Sequence, residues 1–255
     1  MKLSDRFVLS PLLPKLLKEL LRKIVYPIVR PPLLRVAKVR LKERTGRCRT
    51  LEDYANLGFS FSVGSLTIRP AQIKEEILRL MKLLIKLRPK IFFEIGTAKG
   101  GTLYLLSKVS KPNATIISVD FPGGPFGGGY PEGKIPFYKS LVSDEQTLHL
   151  IQGDSHSSST VEKLENILKG RKIDFLFIDG DHTYEGVRRD FEIYSKFVDK
   201  GIIAFHDIVP HLSKLGVGVS KFWLETKNKF SYEEIVKDWN QGWAGIGVIY
   251  VGSTC

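Results

Sequence analysis

From about residue 71 onward the chain alternates between two hydrophobic periods. Over residues 72–88, Ile73, Ile77, Leu80, Leu84 and Leu87 recur at helical spacing on one face. Short apolar runs follow at Ile91–Ile95, Thr115–Asp120, Leu148–Gln152, Ile173–Asp179, Gly201–His206, Tyr232–Lys237 and Ile246–Val251. Amphipathic stretches at 101–109, 159–169, 183–198 and 219–228 lie between them. Strands that are apolar on both sides must be covered on both sides, so the pattern predicts an α/β fold with a mostly parallel seven-stranded sheet and helices on both faces. Only residues 238–245 join the last two runs. That is too short for a crossover, and it predicts an antiparallel last strand at one edge.

The first 70 residues follow a different pattern and are expected to form a basic amphipathic helical arm with a linker, ahead of a domain spanning 71–255. Leu12, Leu13, Leu16, Leu17, Leu20, Leu21, Ile24, Val25 and Ile28 share one side of a helical wheel, with Lys15, Lys18, Glu19, Arg22 and Lys23 opposite. Pro11 and Pro14 favour a helix start nearby, and Pro27 with Pro31-Pro32 is expected to force its end. So wide an apolar face needs cover from its own domain, a second subunit or a membrane interface. Lysines interrupt every candidate apolar core of a cleavable signal.

Charge sharpens this division. Residues 1–50 carry 14 Lys/Arg against 3 Asp/Glu, nearly all of the formal net charge of +12. The remainder is close to neutral, which speaks against nucleic acid as the partner of the core. No apolar run reaches the roughly 18 residues of a membrane span. Cys48 and Cys255 have no metal-ligand spacing, and the expected compartment is the cytoplasm, with peripheral contact at the inner face of the membrane left open.

In open α/β sheets, ligands bind beyond the carboxyl ends of the strands. The first strand ends in Glu94-Ile-Gly96-Thr97-Ala-Lys-Gly100-Gly101-Thr102 and leads into a helix, so its glycines can bring backbone N–H groups close to a ligand. Asp120 ends the second strand, where a carboxylate can accept both hydroxyls of an adenosyl ribose. Asp154 and Ser155 end the third, within reach of an adenine amino group. The fourth ends in Asp179-Gly-Asp181-His182 and the fifth in His206-Asp207. Asp179 and Asp207 can share a divalent cation that acidifies a substrate hydroxyl. Asp181, His182 or His206 can then take the proton; the alternative is that Asp181 caps the next helix and the histidines are ordinary strand-end residues. Residues 121–131, rich in Gly, Pro and aromatics, suit a lid whose Phe side chains and Tyr130 stack on a ring, or a purely structural loop. Trp239 and Trp243, in the final turn, are expected in the core.

The motifs EIGTAKGGT, SVDFPGGPFGGGYP, LIQGDSHS, FIDGDHTYEGVRRDFE and GIIAFHDI, taken in order, resemble class I S-adenosylmethionine-dependent methyltransferases. More narrowly they resemble methyltransferase family 24, near its cephalosporin-hydroxylase-like and macrocin-type small-molecule O-methyltransferases. The resemblance covers about residues 70–251 and implies a Rossmann-like seven-stranded sheet whose last strand is reversed. It implies cofactor contacts from Glu94, Gly96, Thr97, Gly100 and Asp120, with Asp154 and Ser155 near the adenine. Metal-dependent relatives use an Asp after the fourth strand and an acidic pair after the fifth; Asp179 and Asp207 match, while His206 replaces the first member of that pair.

The expected function is therefore methylation of a hydroxyl on a small molecule or glycan from S-adenosylmethionine, with assistance by Mg2+ or another divalent cation an open option. Homo-oligomer or membrane contact through the arm is the further partner expectation. A nucleic-acid methyltransferase lacks support, because there is no Asn-Pro-Pro-aromatic motif and no suitably placed cysteine. A nicotinamide enzyme lacks its GxGxxG and Tyr-x-x-x-Lys signatures. A non-catalytic, cofactor-binding membrane protein is disfavoured by the intact acidic strand ends.

Overall fold

The computed structural model describes residues 26–124, 128–211 and 216–252, with side chains from residue 31 onward. Two helices, α1 (Tyr26–Arg47) and α2 (Leu51–Ser60), lead into a small hairpin, β1 (Ser62–Val63) and β2 (Leu66–Thr67), and then α3 (Lys74–Leu87). Next come β3 (Ile91–Ile95), α4 (Gly101–Ser107), β4 (Thr115–Asp120), a single-turn α5 (Ile135–Tyr138) and β5 (Thr147–Gln152). The chain continues through α6 (Ser158–Leu168), β6 (Phe175–Ile178), α7 (Tyr184–Tyr194), β7 (Gly201–His206), α8 (Val219–Thr226), β8 (Ser231–Ile235) and β9 (Ile246–Val251).

The seven long strands form one sheet in the order β5-β4-β3-β6-β7-β9-β8. Only β9 runs against its neighbours, inserted between β7 and the edge strand β8, as the short final connection predicts. The register levels the strand ends. Ile95 pairs with Val119 and Ile178, Val119 with Ile151, and Ile178 with Phe205, so these five residues form one row across the sheet. The next residues along, Gly96, Asp120, Gln152, Asp179 and His206, therefore emerge side by side at the carboxyl edge.

Alternation along each strand divides the core into two layers. Phe92, Ile116, Phe175, Phe177 and Ala204 face α1 to α5, packing with Ile77, Leu80, Met81 and Leu84 of α3 and with Leu103 to Leu106 of α4. Phe93, Ile95, Ile117, Leu176 and Phe205 face α6, α7 and α8, against Leu164, Val187, Tyr194, Phe222 and Trp223. Ala37 and Leu41 of α1 and Ala55 and Leu57 of α2 are buried in the first layer, so residues before 71 share the hydrophobic core of the sheet.

Two expectations about the ends of the chain are corrected. The prolines do not end the N-terminal helix: α1 spans Pro27, Pro31 and Pro32 and continues to Arg47. Pro31 and Pro32 lie in its second turn, where they remove two backbone donors. Burial of Ala37 and Leu41, at 0% and 1% exposure, together with the half-buried Leu33 and Leu34, offsets that loss. The amphipathic stretch before residue 26 lies outside the described residues. Trp239 and Trp243 are not core residues, at 50% and 42% exposed; the buried tryptophan is Trp223. Helix α2 escaped the pattern although its start is well specified. The Thr50 hydroxyl accepts from Asp53 N–H while the Asp53 carboxylate accepts from Thr50 N–H, a reciprocal cap.

If α1 folds together with the sheet, Leu41→Ala lowers the stability of a single unfolding transition by about 2–5 kcal/mol. Chemical denaturation followed by circular dichroism and by tryptophan fluorescence reports this. Two separate transitions, with only the first moved, would show that α1 is an independent unit.

Candidate active site

The level strand ends open into a cavity of about 340 Å³. Its wall includes Gly96 after β3, Asp120 ending β4, Asp154 and Ser155 after β5, and Asp179, Asp181 and His182 after β6; His206 ending β7 and Asp207 complete it. Nine of the twelve residues singled out in the sequence thus meet there. Glu94, Thr97 and Gly100 do not line it; they lie in and behind the β3–α4 turn.

That turn is shaped by backbone constraints. Gly96 has φ +102°, and a Cβ there would sit 2.1 Å from the Asp179 carbonyl oxygen, so glycine lets the turn close against the end of β6. Asp120, 5% exposed, accepts from Ala98 N–H at 2.7 Å on Oδ2 and from Gly129 N–H at 2.8 Å on Oδ1. Burial pushes its carboxyl pKa up, and these backbone donors oppose the shift. The glycine-rich segment folds back onto this carboxylate, and a Cβ at Gly128 would lie 2.5 Å from Asp120 Oδ1. Within that segment, residues 125–127 lie outside the described residues. Tyr130 does not face a ligand ring: it is buried and stacks on Tyr138, with ring centroids 4.5 Å apart. Phe121, 49% exposed, does line the cavity.

Beneath the turn, Glu94 is wholly buried. Its Oε2 accepts from the Ser118 hydroxyl at 2.7 Å, whereas Oε1 has no hydrogen-bond partner, and the same is true of the buried Tyr130 hydroxyl. Burial raises the Glu94 pKa to about 8, despite the Ser118 bond and with help from the Asp179 and Asp120 charges. Thr97 pairs its hydroxyl with Ser118 at 2.6 Å, and Gly100 caps α4 in a left-handed conformation.

The other end of the cavity is an acid–imidazole cluster. Asp207, at φ +66°, accepts from Ala244 N–H at 3.0 Å and lies 2.8 Å from His182 Nδ1 and 2.9 Å from His211 Nε2. Asp179 accepts from the Gln72 amide at 2.7 Å and lies 3.0 Å from His206 Nδ1. Burial disfavours the His206 cation, but Asp179 and Asp207 more than reverse this and raise its pKa to about 9. Burial likewise opposes the His182 cation, and the Asp207 hydrogen bond and the Asp179 charge outweigh it, so that pKa also stands above the ordinary value. For Asp207, burial is overcome by the histidines, which hold its carboxyl well below the usual range.

Asp181 faces the cavity and its carboxylate accepts from Thr183 N–H at 2.9 Å, while the cap of α7 is Thr183, whose hydroxyl accepts from Gly186 N–H. Among the described residues, Asp179, His182 and His206 offer donor atoms within 4.8 Å of one another, a mixed oxygen–nitrogen set suited to a divalent cation. Both His206 ring nitrogens are buried, with Nδ1 3.0 Å from Asp179 Oδ1. Asp207 is not in that group, because the Ala244 amide and two imidazoles already engage its oxygens. Sequence reasoning missed His156, His211 and Trp243, all on the cavity wall. His211 stands one helical turn's spacing after Asp207, and His156 two residues after Asp154, so proximity to a strand end was the available signal.

Comparison with known proteins adds family context. A family model described as a methyltransferase domain, family 24, matches residues 93–208. An uncharacterized protein of Acanthamoeba polyphaga mimivirus is 34% identical over 119 residues, 46% of this chain and 50% of that protein, so the match spans half the relative's length. Among solved structures, an O-methyltransferase from Bacillus cereus in complex with SAH aligns with TM-score 0.55 at 15% identity, covering 80% of this chain and 92% of that one. The O-methyltransferase TomG from Streptomyces achromogenes, in complex with SAM, aligns at 0.52 and 15% identity over 80% and 89%. A putative caffeoyl-CoA O-methyltransferase from Staphylococcus aureus aligns at 0.53 and 16% over 85% and 99%. At these identities the structural likeness speaks for the fold.

The buried Glu94 gives the site a pH signature. Its folded pKa of about 8 lies above the unfolded value, so the native state holds the extra proton and wild-type stability falls as pH rises from the ordinary glutamate range through about 8. Glu94→Gln cannot ionise, and its stability relative to wild type should climb across that window and level off above it. Denaturation midpoints measured across the pH range check this; a constant difference would mean that Glu94 is ionised throughout.

Proposed function

With residues 93–208 matching the methyltransferase-domain family model, we propose that this chain is an S-adenosylmethionine-dependent O-methyltransferase acting on a hydroxyl of a small molecule or glycan. The observation that carries this reading is a single cavity with nucleoside-type acceptors, Asp120 and Asp154, at one end and an acid–imidazole cluster at the other. The volume lies in the ordinary range for a small-molecule site. The unpartnered Glu94 Oε1 and Tyr130 hydroxyl under the β3–α4 turn suit the polar amino-acid portion of such a cofactor.

Transfer is an in-line displacement. The acceptor oxygen forms a bond to the methyl carbon, the carbon–sulfur bond breaks, its electron pair stays on sulfur, and S-adenosylhomocysteine leaves. The protein must hold the two centres about 3–3.5 Å apart and remove the hydroxyl proton. In our reading His182 is the base. Asp207 engages its Nδ1 at 2.8 Å and fixes the ring against the cavity wall, with Nε2 4.0 Å from Asp179. His206 stands as the countercharge that balances Asp179 and Asp207. Asp179, His182 and His206 would alternatively hold a divalent cation, which when bound would acidify and orient the hydroxyl. Val36 and Val39, exposed on α1 among Arg35, Lys38 and Arg40, suit peripheral attachment to an anionic lipid surface. Among the described residues no helix is long and apolar enough to cross a membrane.

Two variants separate the ends of the cavity. Asp120→Ala should abolish calorimetric binding of S-adenosylhomocysteine. His182→Gln should retain that binding and lower turnover on a panel of phenols and sugars by about 10²–10⁴-fold. Unimpaired turnover by His182→Gln removes the base assignment, and intact ligand binding by Asp120→Ala removes the ribose site. Loss of turnover in excess chelator, with recovery on added divalent metal, selects the cation route.

A further inference from the structure

A second carboxylate–imidazole pair lies apart from the acid–imidazole cluster, at the β5 end of the cavity. Asp190, on α7, is wholly buried, with the His156 ring and the Ser155 side chain as the polar groups that stabilise its carboxylate. Its Oδ1 lies 3.2 Å from His156 Nε2, close enough to pair as charges though not aligned as a hydrogen bond. The same nitrogen lies 3.2 Å from the Gly186 carbonyl oxygen. Burial pushes the Asp190 carboxyl pKa up and its His156 and Ser155 contacts oppose that shift, so the ionised carboxylate and a protonated His156 favour one another. Nε2–H then serves Gly186 and Asp190, and Nδ1–H is left on the Asp154 side, 3.7 Å from Asp154 Oδ1 and beyond hydrogen-bond length. The His156 backbone N–H donates to that same Oδ1 at 2.9 Å, which sets the carboxylate beside the ring. Both residues line the cavity.

We propose that His156, held by Asp190, is the hydrogen-bond donor which, together with the Asp154 acceptor, selects a 6-aminopurine at this end of the cavity. This deepens the cofactor reading given above and rests on it. An adenine edge presents an exocyclic N–H donor beside a ring-nitrogen acceptor, which complements a carboxylate beside an imidazolium N–H. A 6-oxopurine presents an oxygen where the amine was, and that oxygen would face the Asp154 carboxylate. His156 thus reads the base and performs none of the chemistry. The charged groups around it are Asp154 on its own loop and Asp190 and Arg189 on α7, with Asp181 acting on Asp190; the Tyr194 hydroxyl donates to the Ser155 carbonyl oxygen. The Asp190 interaction raises the His156 pKa against the opposing effect of burial. Donation to the purine therefore persists below that raised pKa and is lost as pH rises through it.

The test is calorimetric titration of the full chain with S-adenosylhomocysteine and with its 6-oxo analogue, S-inosylhomocysteine, across a range of pH. Wild type should bind the adenosyl compound more weakly as pH rises and discriminate against the inosyl compound. His156→Leu should bind the adenosyl compound about tenfold or more weakly at low pH and lose the pH dependence. Asp190→Asn should lower the His156 pKa, read from its ring-proton NMR titration, and move the affinity change to lower pH. Should Asp190→Asn fail to fold, the comparison of wild type with His156→Leu decides alone. Equal affinity and pH dependence in wild type and His156→Leu overturn the proposal and leave the cofactor reading standing. Failure of folded wild type to bind S-adenosylhomocysteine overturns that reading, and the proposal falls with it.

Discussion

The chemistry of this fold depends on the register of its parallel ladder. Each pairing between β5, β4, β3, β6 and β7 is in step, so Ile151, Val119, Ile95, Ile178 and Phe205 form a level row. A slip of one residue in any strand would turn its side chains to the opposite face and displace its terminal polar residue by about 3.3 Å. Burial on both faces forbids such a slip, since phenylalanines and isoleucines from both layers fill the space above and below. Residues far apart in sequence, such as Asp120 and His206, are thereby held along one edge with little tolerance. The polar edge inherits its precision from the apolar interior.

The second constraint is charge compensation where water is scarce. Asp207 and Asp179 are matched by His206 and His182, His211 Nε2 lies 2.9 Å from Asp207, and the backbone supplies a further donor. That arrangement extends beyond the cavity. Glu76, wholly buried on α3, accepts from Lys237 N–H at 3.0 Å, the Gln241 amide at 2.8 Å and Gly245 N–H at 3.0 Å. It thereby pins the β8–β9 loop whose Ala244 N–H holds Asp207. Gln72, just before α3, bonds Asp179 through its amide nitrogen while accepting from Thr102 of α4. The orientation of both aspartates thus depends on Gln72 and Glu76, which flank or belong to α3 and do not line the cavity.

What the sequence made legible follows the same physics. Strands β3, β4, β7 and β9 were bounded to the residue, because two-sided burial leaves an unbroken apolar run flanked by glycine or charge. Asp120, Asp179 and His206 were found because a strand-end position is a sequence position. Side-chain direction is not. Glu94 looks outward in a motif, yet its carboxylate turns under the β3–α4 turn to Ser118. Trp243 reads as core by composition, but the tight turn at Ala244, φ +62°, and Gly245, φ +80°, leaves it at the cavity mouth. Helix α1 defeated a local rule, since its prolines remove donors locally while its stabilising contacts come from α2, β1 and α5, outside any local window.

Helix α7 connects the two ends of the cavity. His182, two residues before its first turn, pairs with Asp207 at one end, and Asp190, in its middle, faces His156 at the other. Asp181 and the Thr183 hydroxyl fix where the helix begins by engaging Thr183 N–H and Gly186 N–H. Gly186 admits no side chain, because a Cβ there would lie 2.1 Å from Asp181 Cγ, and its carbonyl contacts His156. A shift of this helix along its axis would misalign both imidazoles together. One element, clamped at its start and buried along Val187 and Tyr194, therefore sets the separation between the two imidazole–carboxylate pairs. For the methyl transfer proposed above, which demands that two centres be held at a fixed distance, a single shared helix is a more exact spacer than two independent loops.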